Sequence, residues 1–336
     1  MTLLKAFVKR APLLMALVIT AGCGSSDTDQ NSLKEEPRWD NLAVTNTRGV
    51  PALSFTDNEA MWLNVRGATA LYPLYASAYS KLAPGVTVNS HVVQTRTPEA
   101  YDNLINYKAD VIFVAQPSEG QKKRAADAGV KLIYTPFARE AFVFIVNINN
   151  PLNSLSEQQV RDIFSGKITN WREVGGSDER IQVWMRPEDS GSQTVMKAKV
   201  MKDTPMLPAK KDLIMDVMNG VISKVAAYQN TQPSIGYTFR YYATQMNKDI
   251  SKNIKLLAIN GIAPTVENIR NGAYPYIVEA YMVTREKHSP EAQKFVDWFL
   301  SPQGQSFVED VGYVPLYKTI SVNEANELHH DFTVVK

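Results

Sequence analysis

One short segment of the chain combines residues that are suited to binding an anion. Arg186 can donate a pair of charge-assisted hydrogen bonds to an oxyanion, and Ser190 and Ser192 add two hydroxyl groups. Gly191, between the serines, lets the backbone amides of the following turn approach the same point. The segment joins a strand-like stretch to a helix and therefore predicts an anion site at a helix start. The alternative is a capped helix with a surface arginine.

A second strand-to-helix turn offers similar groups. Gly67 allows close backbone approach, Thr69 supplies a hydroxyl, and the helix predicted from Ala70 begins with unpaired amides at the positive end of its dipole. Many turns of this kind contain Gly and Thr. The turn alone is therefore only a weak signal for an anion site.

The elements that must position these residues alternate along the chain. Residues 110–115 form a continuous apolar run of the kind found in buried strands, and the order strand, helix, strand predicts a mostly parallel sheet covered by helices. This is an α/β fold. The predicted strands are residues 62–66, 86–93, 110–115, 131–134, 141–146, 181–185, 234–239, 255–259 and 276–284. The predicted helices are residues 70–82, 98–107, 154–164 with a capping box at Ser154, a helix from about Gly191, and residues 292–300 and 303–309.

The composition argues against several classes of protein. Lys plus Arg number 36 and Asp plus Glu number 34, so no bulk positive charge indicates a nucleic-acid partner. The four histidines are scattered, and none pairs with a carboxylate or thiol at the spacing of zinc ligands. The sequence therefore predicts neither metal nor cofactor, and an anion site must be built from local donors.

The first 22 residues have the layout of a secretory signal. A basic head is followed by an apolar stretch that is too short for a bilayer, which takes about 20 residues, and that ends at Cys23, the single cysteine. Its place after Ala21 and Gly22 resembles the lipobox of bacterial lipoproteins, although Thr20 stands where an aliphatic residue is usual. The alternative is an ordinary signal peptide with a chance cysteine. Residues 23–52 are largely polar and predict a flexible tether.

The order of several motifs resembles the phosphate-binding proteins of phosphate uptake transporters. Residues 162–176 look like the signature run of that family. The turn around Thr69 with Pro73 beyond it, the strand from Asp110, the Arg186 segment, and residues 312–316 follow in the family's order. The resemblance covers nearly all of the chain after the tether.

The resemblance implies a two-lobed fold of the periplasmic-binding-protein type II class. Such a fold has mixed sheets flanked by helices and two crossover hinge strands, with the ligand between the lobes. Lobe I would comprise residues 53–138 and 279–316, and lobe II residues 139–278, with a C-terminal tail from 317 to 336.

The family's ligand-binding positions can be carried over to this sequence. From the first lobe, the resemblance implies Ala68, Thr69 and Ala70, and either Thr95 or Thr97. From the second lobe, it implies Arg186, Ser190, Gly191 and Ser192. Arg139 and Glu140 lie where the chain should first cross between lobes. They would either line the cleft or form a plain hinge salt bridge.

One position departs from the family pattern. Many relatives have an aspartate that accepts a hydrogen bond from protonated phosphate where this chain has Ala115. Without that carboxylate, the chain lacks the group that would reject fully deprotonated anions such as sulfate. Asp189, Glu188 or Glu140 are the candidates to supply the acceptor, and Asp189 is the first of them.

The predicted function is capture of inorganic phosphate outside the cytoplasm for an ABC permease, by a monomer that is anchored to the membrane through lipid on Cys23. Three alternatives remain open. The cargo could be sulfate, molybdate or a phosphorylated organic molecule, or the protein could be an anion sensor or scaffold without transport. A secreted phosphatase would need a nucleophile beside a base or a two-metal cluster, and neither appears in the sequence.

Overall fold

A computed structural model of the chain describes residues 63–83, 91–208, 210–227 and 233–316. The predicted signal at 1–22, Cys23 with the tether to residue 52, and the tail at 317–336 lie outside the described residues. Within the described ranges, no helix is long and apolar enough to cross a lipid bilayer.

The strands form one large mixed sheet and one small pair. The large sheet has the order β2-β1-β3-β10-β4-β7-β6, with β8 and β11 also paired to β4, and β5 pairs separately with β9. The strands are β1 (Val65–Gly67), β2 (Val92–Gln94), β3 (Val111–Val114), β4 (Leu132–Asn147), β5 (Ser154–Leu155), β6 (Gln182–Val183), β7 (Ser234–Phe239), β8 (Ile254–Leu256), β9 (Ala258–Ile259), β10 (Ile277–Arg285) and β11 (Val314–Pro315).

Helices follow most of these strands. A 3-10 turn at residues 69–71 precedes the helix that begins at Tyr72, and a π-helix at residues 196–201 continues the helix that begins at Gly191. The helices are α1 (Tyr72–Leu82), α2 (Thr97–Ile105), α3 (Glu119–Asp127), α4 (Glu157–Ser165), α5 (Gly191–Val195), α6 (Met218–Ala226), α7 (Lys248–Ser251), α8 (Val266–Arg270), α9 (Pro290–Leu300) and α10 (Pro302–Val311).

Strand β4 is one continuous element, although the sequence predicted two strands with an interruption at residues 135–140. The predicted interruption contains Pro136, and a proline cannot donate to a strand ladder. In the structure, β10 pairs with β4 on both sides of Pro136, and its register shifts between Ala280 and Tyr281. This irregularity accommodates the proline, so β4 runs unbroken through the centre of the sheet.

The start of α4 also differs from the prediction. The capping box is formed by Ser156 and Gln159: the Ser156 hydroxyl accepts from the Gln159 amide, and the Gln159 side chain accepts from the Ser156 amide. Ser154 instead lies in β5. The helix ends as predicted at Gly166, whose φ of 82° is the left-handed conformation that favours glycine.

The core is densely aromatic. Phe113 on β3 contacts the rings of Tyr75, Phe137, Phe295 and Phe299 at centroid distances of 5.1 to 5.8 Å. Residues 141–146 of β4 are all buried, as expected for a central strand that is covered on both faces. This core holds the ends of the central strands in fixed positions.

The topology brings the predicted anion-binding turns together. β1 pairs in parallel with both β2 and β3, so these strands end at one edge of the sheet. The turns after β1 and β2 carry Thr69 and Thr97, and Ala115 directly follows β3. Ligands of open α/β sheets bind in crevices beyond the carboxyl ends of the strands.

Candidate functional site

A cavity of about 230 Å3 lies beyond the ends of these strands. Pockets for drug-sized molecules are about 300–1,000 Å3, so this cavity suits a small ligand. The described residues that line it include nine of the twelve predicted ligand-binding residues: Ala68, Thr69, Ala70, Thr97, Glu140, Arg186, Ser190, Gly191 and Ser192.

The turn after β1 offers its donors to the cavity. A Cβ built on Gly67 would lie 2.6 Å from Cε1 of Tyr75 and 2.7 Å from the carbonyl oxygen of Phe113, so this position requires glycine. Ala68, which precedes the first helical turn, provides no side-chain cap. A bound anion would therefore stabilise the amides of this turn in place of a capping side chain.

The Thr69 hydroxyl is oriented by a residue that the sequence analysis did not identify. Nε2 of Gln94, at the end of β2, donates to Oγ1 of Thr69 over 3.2 Å. Because the Thr69 oxygen accepts this bond, its own hydrogen is available to donate to a ligand. The signal was present in the sequence only as a polar residue at the end of a predicted strand.

The structure distinguishes Thr95 from Thr97, which the sequence left open. Thr97 is buried at the start of α2 and lines the cavity. Thr95 does not line it: the Thr95 amide and hydroxyl both point to the carbonyl oxygen of Gly67, at 3.1 and 3.4 Å. Thr95 therefore stabilises the turn after β1 by hydrogen bonds and does not face the cavity.

Arg186 is buried and held from several directions. Its Nε donates to Oγ of Ser192 over 3.3 Å, and its Nη1 donates to the carbonyl oxygen of Met215 over 2.7 Å. Its backbone amide donates to Oη of Tyr237 over 2.9 Å, and Tyr237 in turn donates to Oε1 of Gln193. The guanidinium is thus positioned in advance at the cavity wall.

The turn from Ser190 to Ser192 begins α5 at the same wall. Oγ of Ser190 accepts from the Gln193 amide over 3.2 Å, which makes Ser190 the N-cap residue. A Cβ built on Gly191 would lie 2.8 Å from Oγ1 of Thr97 and 3.4 Å from Cβ of Ala115. Glycine therefore lets this turn pack directly against the ends of β2 and β3.

Two further predicted residues lie outside the cavity lining. Asp189, the first candidate acceptor, is instead bonded to Arg124 of α3 at 2.9 Å and to Ser118. Arg139 lies in β4 between Glu279 of β10 and Val314 of β11 in the sheet. Side chains alternate between the two faces of a strand, so Arg139 and its lining neighbour Glu140 point in opposite directions.

Glu140 is a buried carboxyl group in the cavity wall. It accepts hydrogen bonds from the amides of Ala141 at 2.7 Å and Tyr241 at 3.1 Å, and its Oε1 lies 3.6 Å from Nε of Arg240. Burial raises its pKa above the ordinary value, although Arg240 and the two amides act in the opposite direction. Glu140 therefore both lines the cavity and forms an ion pair, with Arg240 as its partner.

The cavity wall is not positively charged as a whole. Its described charged residues are Arg96, Glu99, Glu140, Arg186, Glu188, Asp216 and Glu279. The acidic residues other than Glu140 are wholly or partly exposed, and two of them pair with neighbouring cations, as Glu188 does with Lys197 at 2.8 Å. Solvent screens such exposed charges, whereas Arg186 is buried. Any attraction for an anion would therefore come from Arg186, hydroxyl groups and helix-start amides.

Sequence reasoning missed other lining residues, namely Leu71, Arg96, Pro98, Glu99, Pro187, Asp216, Met218, Phe239, Val278, Glu279 and Ala280. Most of these are apolar or ordinary surface types that carry no chemical signal in a sequence. Within the described ranges, no group of three or more His, Cys, Asp or Glu residues is placed to hold a metal ion.

Comparisons with known proteins agree with this architecture. Residues 26–303 match the model of a family described as the PBP superfamily domain. The chain is 28% identical over 268 residues to the phosphate-binding protein PstS of Borreliella burgdorferi, covering 77% of this chain and 91% of that relative. It is 24% identical over 322 residues to PstS of Bacillus subtilis, covering 94% of this chain and 96% of that relative.

A solved structure has a similar fold. This chain superimposes with a TM-score of 0.62 on a crystal structure from Clostridium perfringens, that of a putative phosphate ABC transporter substrate-binding protein with bound phosphate. The two sequences are 25% identical, and the match covers 76% of this chain and 99% of that chain. The predicted α/β fold of the binding-protein type, with mixed sheets flanked by helices, is therefore confirmed.

Proposed function

The chain belongs to the PBP superfamily, and we propose that it captures inorganic phosphate for an ABC transporter. Two relatives described above carry the name phosphate-binding protein, and the similar solved structure holds phosphate. The observation that carries the proposal is the meeting of a buried arginine, Arg186, with hydroxyls and helix starts around one small cavity.

Each part of the cavity wall has a task in this function. Thr69, with its hydroxyl oriented by Gln94, and the uncapped amides of its turn bind one side of the anion. Arg186 and Ser192 bind the other side, and Thr97 and Gly191 close the gap between them. Fixed dipoles of this kind compensate an anion without moving, which keeps the cost of ordering the site low.

Capture requires the site to open. We assign residues 53–138 and 279–316 to one lobe and residues 139–278 to the other, as the sequence predicted. The neighbouring strands β4 and β10, which pair from Ile277 opposite Ala141 to Arg285 opposite Leu132, contain both proposed crossings. A ligand favours the closed form only to the extent that it binds that form more tightly than the open one.

Delivery to a membrane transporter suits the predicted position of the protein. Lipid on Cys23 would anchor the chain at the outer side of a membrane, and residues 23–52 would let it reach a permease. No chemical step is needed in this function, because recognition of the closed, loaded protein is sufficient. We also propose that the protein acts as a monomer.

A second candidate keeps the site and changes the cargo. Ala115 places a methyl group at the cavity wall, and Glu140 is the lining carboxyl group that is buried. Sulfate has the same shape as phosphate but carries no proton at neutral pH. If none of the lining carboxyl groups accepts a hydrogen bond from the ligand, the site lacks the repulsion that would exclude sulfate.

Isothermal titration calorimetry tests both candidates. The full chain is unfolded and refolded to remove bound anion, and is then titrated with phosphate and separately with sulfate. We expect one phosphate per protein, weaker sulfate binding, and loss of phosphate binding by at least about 100-fold in Arg186→Ala. Arg172→Ala is the control, since Arg172 is an exposed arginine that pairs with Asp178 at 3.2 Å.

Two results would contradict the proposal. If the wild-type chain releases no heat with phosphate but binds sulfate, the cargo is wrong and the site is retained. If neither anion binds, or if Arg186→Ala and Arg172→Ala behave alike, the oxyanion site itself is wrong. Circular dichroism of each variant establishes that it has folded.

A further inference from the structure

Asp189 connects the turn that begins α5 to helix α3. It lies between Arg186 and Ser190 in sequence, and it contacts three residues of α3 and its N-cap: Ser118, Gln121 and Arg124. This inference rests on the proposed anion capture. We propose that Asp189 is a positioning residue whose bonds to α3 stabilise the closed form of the cavity. The affinity for the anion then depends on residues that do not contact it.

The contacts use both the side chain and the backbone of Asp189. Its Oδ1 accepts from the Ser118 hydroxyl, and its Oδ2 accepts from Nη1 of Arg124 over 2.9 Å. Its carbonyl oxygen accepts from Nε2 of Gln121 over 2.9 Å. A displacement of the turn relative to α3 would break all three bonds together.

The partners on α3 are already fixed by a capping box. Oγ of Ser118 accepts from the Gln121 amide at 3.0 Å, and Oε1 of Gln121 accepts from the Ser118 amide at 2.9 Å. These bonds leave the Ser118 hydroxyl hydrogen and the Gln121 amide hydrogens as donors, and both side chains direct a donor at Asp189. Because Gln121 is fully buried and Ser118 nearly so, the surface that receives Asp189 is rigid.

The backbone at this position supports the same interpretation. Asp189 has a φ of 66°, a left-handed conformation that Asp adopts more readily than most residues other than glycine. Gly120 of α3 provides the space opposite: a Cβ built there would lie 3.0 Å from Oδ1 and 3.3 Å from Oδ2 of Asp189. Asp189 and Gly120 therefore fit each other closely, and neither residue lines the cavity.

The charge of Asp189 is retained in this setting. Burial alone would raise its pKa, but the bonds from Ser118 and Arg124 and the charges of Arg124 and Lys197 outweigh burial and hold the pKa below its usual value. The side chains of Asp189 and Arg124 are 22% and 41% exposed, so solvent weakens their attraction. We therefore expect Asp189 to change affinity moderately and not to abolish it.

Three variants test this role in the refolded full chain. Asp189→Asn removes the charge and keeps the shape. Gly120→Ala removes no polar group, but its Cβ would contact the Asp189 carboxylate closely. Because alanine is a better helix former than glycine, this variant should not destabilise α3 itself. Glu286→Gln is the control, because Glu286 forms a comparable exposed ion pair, with Lys131, away from the turn.

Calorimetry measures the consequence for binding. We expect Asp189→Asn and Gly120→Ala each to weaken phosphate binding by about three- to ten-fold, and Glu286→Gln to change it by less than about two-fold. In combination with Arg124→Ala, Asp189→Asn should add less than the sum of the single effects, since both remove the same contact. Wild-type affinity in both Asp189→Asn and Gly120→Ala would overturn the proposal.

A ligand-independent measurement separates this inference from the phosphate proposal. Two spin labels are attached to cysteines introduced by Asp127→Cys in α3 and Lys167→Cys after α4, in a chain that also carries Cys23→Ser. Double electron–electron resonance then measures the distance between the two labels and so between the two proposed lobes. Without phosphate, Asp189→Asn should enlarge the fraction of longer distances. Absence of phosphate binding in the wild type would contradict the proposed cargo only, whereas identical distance distributions in wild type and Asp189→Asn would contradict the role of Asp189.

Discussion

Gln94 and Thr69 form a side-chain hydrogen bond of 3.2 Å that joins the ends of two neighbouring strands at the cavity. The bond occupies a lone pair of the Thr69 oxygen and leaves the hydroxyl hydrogen for a ligand. The orientation of a donor is thus set by a residue outside the cavity lining. The guanidinium of Arg186 is likewise oriented by neighbouring groups, namely Ser192, which lines the cavity, and the Met215 carbonyl.

Replacing Gln94 should therefore weaken binding through Thr69. We expect Gln94→Ala to weaken phosphate binding by about five-fold, and Gln94→Glu to weaken it more, because a carboxylate would accept the Thr69 hydrogen and add negative charge. Calorimetry of the full chain measures both. Gln94→Ala in a Thr69→Val background is the control. If it causes the same five-fold loss there, Gln94 does not act through Thr69.

Gly191 should be essential for closing the cavity. A Cβ at this position would lie 2.8 Å from Oγ1 of Thr97, so in Gly191→Ala either the Thr97 hydroxyl or the turn must shift. We expect phosphate binding to weaken by about ten- to 100-fold with little change in thermal stability of the ligand-free protein. Binding that equals wild type would show that the packing of Gly191 on Thr97 is not needed.

Ala115 offers a test of anion selectivity. Its side chain lines the cavity, so Ala115→Asp places a carboxylate beside the ligand. A carboxylate accepts a hydrogen bond from the O–H group of hydrogen phosphate but repels sulfate, which has no such group. We expect the ratio of phosphate to sulfate affinity to rise by at least about ten-fold, measured by competition calorimetry. Ala115→Asn, of similar size and uncharged, is the control, and an equal ratio in both variants would contradict the expectation.

Glu140 should make stability depend on pH. Its pKa is raised in the folded protein by burial, so the carboxyl group contributes stability below its unfolded pKa, and this contribution is lost as pH rises through the folded pKa. Relative to Glu140→Gln, the free energy of unfolding of the wild type should therefore fall as the pH rises above 4.5, the ordinary pKa of a glutamate. Urea denaturation at a series of pH values measures the difference. A constant difference across that range would contradict the raised pKa.

The residues proposed to bind the anion were recognisable in the sequence because they lie in strand-to-helix turns. Arg186, Ser190 and Thr69 could be selected from such turns, and the helix start at Gly191 was predicted where it occurs. The strand at 234–239 also has the predicted bounds. These features depend on short stretches of chain, where residue type largely decides the conformation.

The features that escaped prediction depend on contacts between distant residues. The choice between Thr95 and Thr97 depends on where β2 ends relative to the cavity, and the bond from Ser118 to Asp189 spans 71 positions. The continuity of β4 past Pro136 depends on the irregularity of its partner β10. No local pattern contains this information, because tertiary pairing decides it.

A crystal structure of the full chain with phosphate at saturating concentration tests the central claim most directly. The account predicts one tetrahedral anion in the cavity, within hydrogen-bonding distance of Oγ1 of Thr69, the guanidinium of Arg186 and the amides near Ser192. An empty cavity, or phosphate bound only elsewhere on the protein, would contradict the claim that these turns form the anion site.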